Sequence, residues 1–101
     1  MYKTTTITAE NQWTGTLDLI GFFNYSAQGT FEASVTLQRS FNDLGTWSAW
    51  EDVDSNTEPF SLIGFEALAP FKFSKPSVRY RLGVKTGDFT SGSITARLGV
   101  R

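Results

Sequence analysis

The sequence predicts an all-β protein: a single antiparallel β-sandwich, Ig-like or jelly-roll-like, of about seven or eight strands in one domain over residues 1–101. Three observations predict it. Apolar and polar residues alternate with a period of two, and no long stretch repeats with a helical period. Turn signals ("ENQ", "SAQG", "NDLG", "DSNTEP", "SKP") recur at short intervals. Hydrophobic residues make up 40% of the chain and aromatics 15%, nine of them Phe, which is enough for one core.

Along the chain, Lys3–Thr8, Thr14–Ile20 and Phe22–Ser26 read as short strands. The clearest strand is 30–41. Phe31, Ala33, Val35, Leu37 and Phe41 share one parity, and Thr30, Glu32, Ser34, Thr36, Gln38 and Ser40 share the other. Successive side chains point to opposite faces, so this strand is expected to be buried on one side and wet on the other. Thr46–Asp52 and Phe60–Glu66 follow. In 64–76, Pro70 and Pro76 argue for an edge or a loop. Near the end, Val78, Tyr80, Leu82 and Val84 face in while Arg79, Arg81 and Lys85 face out. Ile94, Ala96, Leu98 and Val100 repeat the pattern, with Arg97 and Arg101 outside. The intervening "TGDFTSG" reads as a hairpin joining 77–85 to 93–100.

Composition narrows the chemistry. There is no Cys and no His, which removes disulfides, thiolate metal sites and imidazole catalysis. Nothing reads as a secretory leader, and no apolar run approaches the roughly 20 residues of a membrane span. Asn24-Tyr25-Ser26 fits a glycosylation sequon and is read as inert without such a leader. Asp52, Asp54 and Asn56 resemble the start of an EF-hand loop. Thr57 stands where that loop needs Gly, however, and Ile63 where it needs Glu. Glu51, Asp52, Asp54 and Glu58 read as solvated acids of a turn, not as a glycosidase pair. With no nucleotide-binding glycine motif either, the chain is expected to be non-enzymatic and to need no cofactor.

Charge is segregated along the chain. Residues 1–71 carry nine acids against Lys3 and Arg39; residues 72–101 carry seven bases against Asp88. Set on different faces, these halves would let copies attract one another; strands from the two halves lying side by side would instead mix the charges. A basic stripe of Arg79, Arg81, Lys85, Arg97 and Arg101 with Phe89 or Tyr80 for stacking would suit nucleic acid, but a sequence pI of about 5.2 argues against it. Trp47 and Trp50 are the candidate glycan contacts. They have opposite parities in a regular strand, so one is expected in the core and the other exposed; Trp13 is expected to cap a strand.

Two resemblances bear on function. "SFNDLGTW" resembles the sialidase Asp-box at Ser40, Thr46 and Trp47 and departs from it at Asn42 and Leu44. In families that carry it the box is a structural β-hairpin device, which implies a hairpin from 30–41 into 46–52 and no glycosidase. "GTFEASVTLQRSFNDLGTW" followed by "VRYRLGVKTGDFTSGSITARLG" resembles small virion proteins of tailed phages. Gly29–Phe31, Leu37–Phe41, Thr46, Trp47, Tyr80–Leu82, Thr90–Gly92 and Arg97–Gly99 carry the likeness. It implies a virion structural protein assembled in the bacterial host cytoplasm: a capsid decoration or cement protein that contacts the major capsid protein or other virion subunits and forms homo-oligomers. A tail or baseplate component, or a small carbohydrate-binding module, is the alternative. The candidate contact residues are Arg79, Arg81, Lys85, Arg97 and Arg101, together with Phe60, Phe65, Phe71 and Phe73 of the Phe-rich segment.

Overall fold

In the computed structural model, residues 2–19, 21–43, 45–66 and 78–100 are described. They contain twelve strands and no helix. In chain order these are β1 (Tyr2–Ile7), β2 (Gln12–Trp13), β3 (Leu17–Asp18), β4 (Gly21–Gln28), β5 (Phe31–Ala33) and β6 (Val35–Asp43), then β7 (Thr46–Trp47), β8 (Glu51–Asn56), β9 (Phe60–Glu66), β10 (Val78–Val84), β11 (Phe89–Gly92) and β12 (Ile94–Gly99). The first sheet runs β1-β12-β4-β9. In the second, β10 pairs with β2 and β3 on one side and with β6 on the other, and β6 in turn pairs with β7 and β8. β5 and β11 form a separate two-stranded ribbon. Each of these pairings is antiparallel.

One apolar core lies between the two larger sheets. Ile7, Phe23, Tyr25, Ala27, Ile94, Ala96 and Leu98 come from the first, and Leu17, Val35, Leu37, Val78, Tyr80, Leu82 and Val84 from the second. The Phe23 and Tyr80 rings meet across it with centroids 4.8 Å apart and planes tilted by 43°. Removing each large side chain from water is worth about 1.5–3 kcal/mol, so these residues hold the sheets together without a disulfide. Tyr25 adds a polar tie, its hydroxyl donating to Asp54 Oδ2 at 2.8 Å.

The strand count and the sheet division differ from the seven or eight strands expected in one sandwich. The expected strand 30–41 breaks at Ser34, whose N–H donates to the Asp88 carbonyl at 2.9 Å. Residues 31–33 therefore pair with β11 and residues 36–41 with β10. The expected 46–52 strand breaks at residues 48–50, and its second half runs on to Asn56.

The hairpin expected between 77–85 and 93–100 does not form. β10 joins the second sheet and β12 the first, because the segment between them is diverted into the ribbon. Gly92 makes that diversion sterically open. Its φ is 105°, and a Cβ there would lie 2.3 Å from the Thr30 carbonyl oxygen. The hairpin implied by "SFNDLGTW" does form. β6 turns into β7 through a tight corner in which the Gly45 N–H donates to Asn42 Oδ1 at 2.7 Å.

Candidate functional site

The outer face of the second sheet is built on two arginines of β10. Arg79 and Arg81 are two residues apart, so their side chains leave the same face about 6.8 Å from one another. That spacing holds one flat ring between two guanidinium planes. Trp50 takes this place, its ring centroid 5.0 Å from the Arg79 guanidinium and 4.4 Å from that of Arg81. Trp47 stacks on Arg79 at 4.1 Å and Trp13 on Arg81 at 4.0 Å. The five side chains form a ladder, Trp47–Arg79–Trp50–Arg81–Trp13, that uses all three tryptophans of the chain.

Local chemistry puts each rung in place. Gly83 lets β2 cross closely: a Cβ there would lie 2.2 Å from the Gln12 carbonyl oxygen and 2.7 Å from Trp13 Cα. The segment carrying Trp50 is pinned by Ser40 Oγ donating to the Ser48 carbonyl at 2.6 Å and by Ser48 N–H donating to the Phe41 carbonyl at 2.7 Å. Arg81 Nε donates to Gln38 Oε1 at 3.0 Å. Gln38 Nε2 donates to Asp52 Oδ1 at 2.8 Å, and Lys85 closes on Asp52 Oδ2 at 2.6 Å. Lys85 and Gln38 hold the Asp52 carboxyl below the usual carboxylate range, and Asp52 raises Lys85 in return. Burial, reinforced by the neighbouring Arg79, lowers Arg81. The buried Nε of Arg79 has no hydrogen-bond partner, and stacking on two indoles is what holds that guanidinium.

The ladder corrects several expectations. Thr36, Gln38 and Ser40, expected wet, are 0%, 6% and 0% exposed; Gln38 is held between Arg81 and Asp52, Ser40 Oγ donates to the Ser48 carbonyl, and Thr36 Oγ1 lies 3.4 Å from Ser55 Oγ. Trp47 and Trp50 do not split between core and solvent. Residues 48–50 are not strand, parity does not carry across them, and both rings reach the same face. Trp13 is a rung rather than a cap. Phe41 lies at 37% exposure with the Arg39 guanidinium 5.1 Å from its ring centroid. As glycan contacts, Trp47 and Trp50 already have guanidiniums over their rings.

The basic residues do not share a face. Arg79 and Arg81 belong to the second sheet and Lys85 directly follows its strand β10, whereas Arg97 lies on the outer face of the first, its guanidinium 4.3 Å from the Tyr2 ring centroid. Nor are the charges segregated. β6 and β4, from the acidic part of the chain, pair with β10 and β12 of the basic part, and Asp52 pairs with Lys85 across the two parts, while Glu51 pairs with Arg39 within the acidic one. Arg101, Phe71 and Phe73 lie outside the described residues.

The outer face of the first sheet is different. Arg97, Asn24, Ser26, Ser61 and Gly99 line a shallow depression of about 300 Å³. Beside it Phe22 is 72% exposed, Ile63 66% and Phe65 57%; Tyr2 lies on its other side at 56%. Phe22 and Phe65 are cross-strand partners with rings 4.7 Å apart, so they form one apolar surface. Phe60, the other described Phe of the segment, turns inward and packs edge-on against Tyr25 at 5.7 Å. The sequence reading missed Phe22 and Ile63, although the Phe22-Phe23 pair is a signal. Adjacent strand residues face opposite ways, so only one of the two can enter the core. Among the described residues no group of three or more His, Cys, Asp or Glu is placed to hold a metal. Comparison with known protein families, curated proteins and solved structures finds no match to the chain.

Proposed function

We propose that the chain is a non-enzymatic structural protein of a tailed-phage particle. In this reading it is a capsid decoration or cement protein that binds the major capsid protein or neighbouring virion subunits. The two larger sheets act as the layers of one β-sandwich, and the β5–β11 ribbon is an attachment to it. The observation that carries the reading is the outer face of the first sheet. Phe22, Ile63 and Phe65 lie together on two adjacent strands and stay in water, a cost that contact with another subunit would remove. Arg97 and the polar groups of the depression supply directional contacts beside them. The ladder on the opposite face supports the same role by stiffening a small fold that has no disulfide.

Mass spectrometry of particles purified from the phage that encodes the chain, followed by separation of heads from tails, tests this. The chain is expected in heads at a copy number proportional to the capsid protein. Its presence in tails alone would move the assignment to the tail or baseplate, and its absence from particles would overturn the proposal.

A further inference from the structure

The depression on the outer face of the first sheet lies where a row of side chains has a gap. Register places Arg97, Ser26 and Ser61 side by side across β12, β4 and β9. Gly99, Asn24 and Ile63 form the next row, which Tyr2 extends on β1. Gly99 is the one member of that row without a side chain, so the space of about 300 Å³ opens over its backbone, beside Asn24 and Arg97. The groups around it have unspent hydrogen-bonding capacity. Among the described residues, the side chains of Asn24, Ser26 and Ser61 make no hydrogen bond, and Arg97 makes neither a hydrogen bond nor an ion pair. The Arg97 guanidinium lies over the Tyr2 ring at 4.3 Å, a contact that leaves the N–H groups of its edge for an acceptor.

The charge of Arg97 has no counterpart on this face. The outward register positions of the four paired strands carry no Asp or Glu. A guanidinium beside an amide and two hydroxyls matches a carboxylate. Its two oxygens accept from the guanidinium edge, and the amide and hydroxyls serve the remaining lone pairs. The same face of a second copy would bring another arginine and more apolar rings, but no acid. The complementary surface therefore belongs to a different protein. It carries an Asp or Glu next to apolar side chains, the acid over Gly99 and the apolar groups against Phe22, Ile63 and Phe65.

We infer that the depression over Gly99 is a carboxylate-binding site, and that an acidic side chain of a different virion subunit enters it and pairs with Arg97. The inference rests on the reading of the first sheet's outer face as a contact surface, and it adds the chemistry of the partner.

Particles made without the chain, mixed with the purified full chain, test it. Arg97→Gln removes the charge and is expected to weaken binding to the particle at least tenfold. Val53→Lys, at an exposed site on β8 of the other sheet, binds like the wild type. Carbodiimide coupling, which joins a carboxylate to an amine with loss of water, then reads the chemistry of the partner. Arg97→Lys keeps the charge and puts an amine at the depression. Mass spectrometry is expected to find position 97 of that variant linked to an Asp or Glu of a different virion protein, at a yield at least tenfold above that from Val53→Lys. Wild-type binding by Arg97→Gln would overturn the inference. So would particle-bound Arg97→Lys with no excess of linkage, or linkage to an acid of another copy of the chain. Each of these leaves the virion proposal standing, whereas a wild-type chain that joins no particle overturns both.

Discussion

The two outer faces of this protein solve the same problem in opposite ways. Each larger sheet turns one side to the core and must do something with the other. On the second sheet Thr36, Gln38 and Ser40 are as buried as the core, and three indoles and two guanidiniums stack on the same side. The first sheet leaves Phe22, Ile63 and Phe65 uncovered while burying Phe23, Tyr25 and Ala27 beneath them. A strand with polar outer residues has thus been buried, and a strand with apolar outer residues left bare. Residue polarity alone does not say which face is closed; what lies above it does.

If the ladder face is structural and the bare face is a contact surface, substitutions should separate them. The largest effect is expected at Gly83→Ala. The new Cβ would collide with backbone of β2, which cannot give way as a side chain can, and the loss should be about 3 kcal/mol in urea unfolding. Trp50→Ala removes the middle rung and leaves each guanidinium stacked on one indole instead of two; a loss of about 2 kcal/mol is expected by the same measurement. Arg79→Lys keeps the charge and loses the flat stacking group between two rings, and should cost about 1 kcal/mol. Phe22→Ser on the bare face should change stability by no more than about 0.5 kcal/mol, since little of its ring is buried.

The tie between the sheets gives a pH test. Burial first, then the hydrogen bond and charge of Asp54, push the Tyr25 hydroxyl up from its ordinary value of 10.0 to about 12. The fold keeps this proton after the unfolded chain has released its own. The stabilisation is complete below pH 10 and is lost as pH rises toward 12. Urea midpoints should fall over that window, and Tyr25→Phe should flatten the fall.

Much of the fold was legible in the sequence. Period-two alternation located the inward residues Val35, Leu37, Val78, Tyr80, Leu82, Val84, Ile94, Ala96 and Leu98, all buried. Local signals also gave the turn at Asn42–Gly45. Pairing between distant segments was not legible. Two neighbouring strand patterns with a Gly-rich link look like a hairpin whether or not the link finds another partner. Here β11 pairs with β5, so β10 and β12 part company. The ladder was hidden for a related reason. Trp13, Trp47, Trp50, Arg79 and Arg81 are scattered over three stretches of chain, and the irregular residues 48–50 cancel the parity that would have aligned two of them. The bare patch was partly visible in the excess of Phe. Phe65 was among the candidates, while Phe22 and Ile63 needed the register of β4 with β9.

Covalent footprinting of assembled particles against the free chain bears most directly on the division of labour between the two faces. Phe22, Ile63 and Phe65 are expected to label readily in the free chain and to be protected in the particle, while Trp13, Trp47 and Trp50 label equally in both. Protection of the tryptophans with Phe22 and Phe65 still labelled would contradict the account.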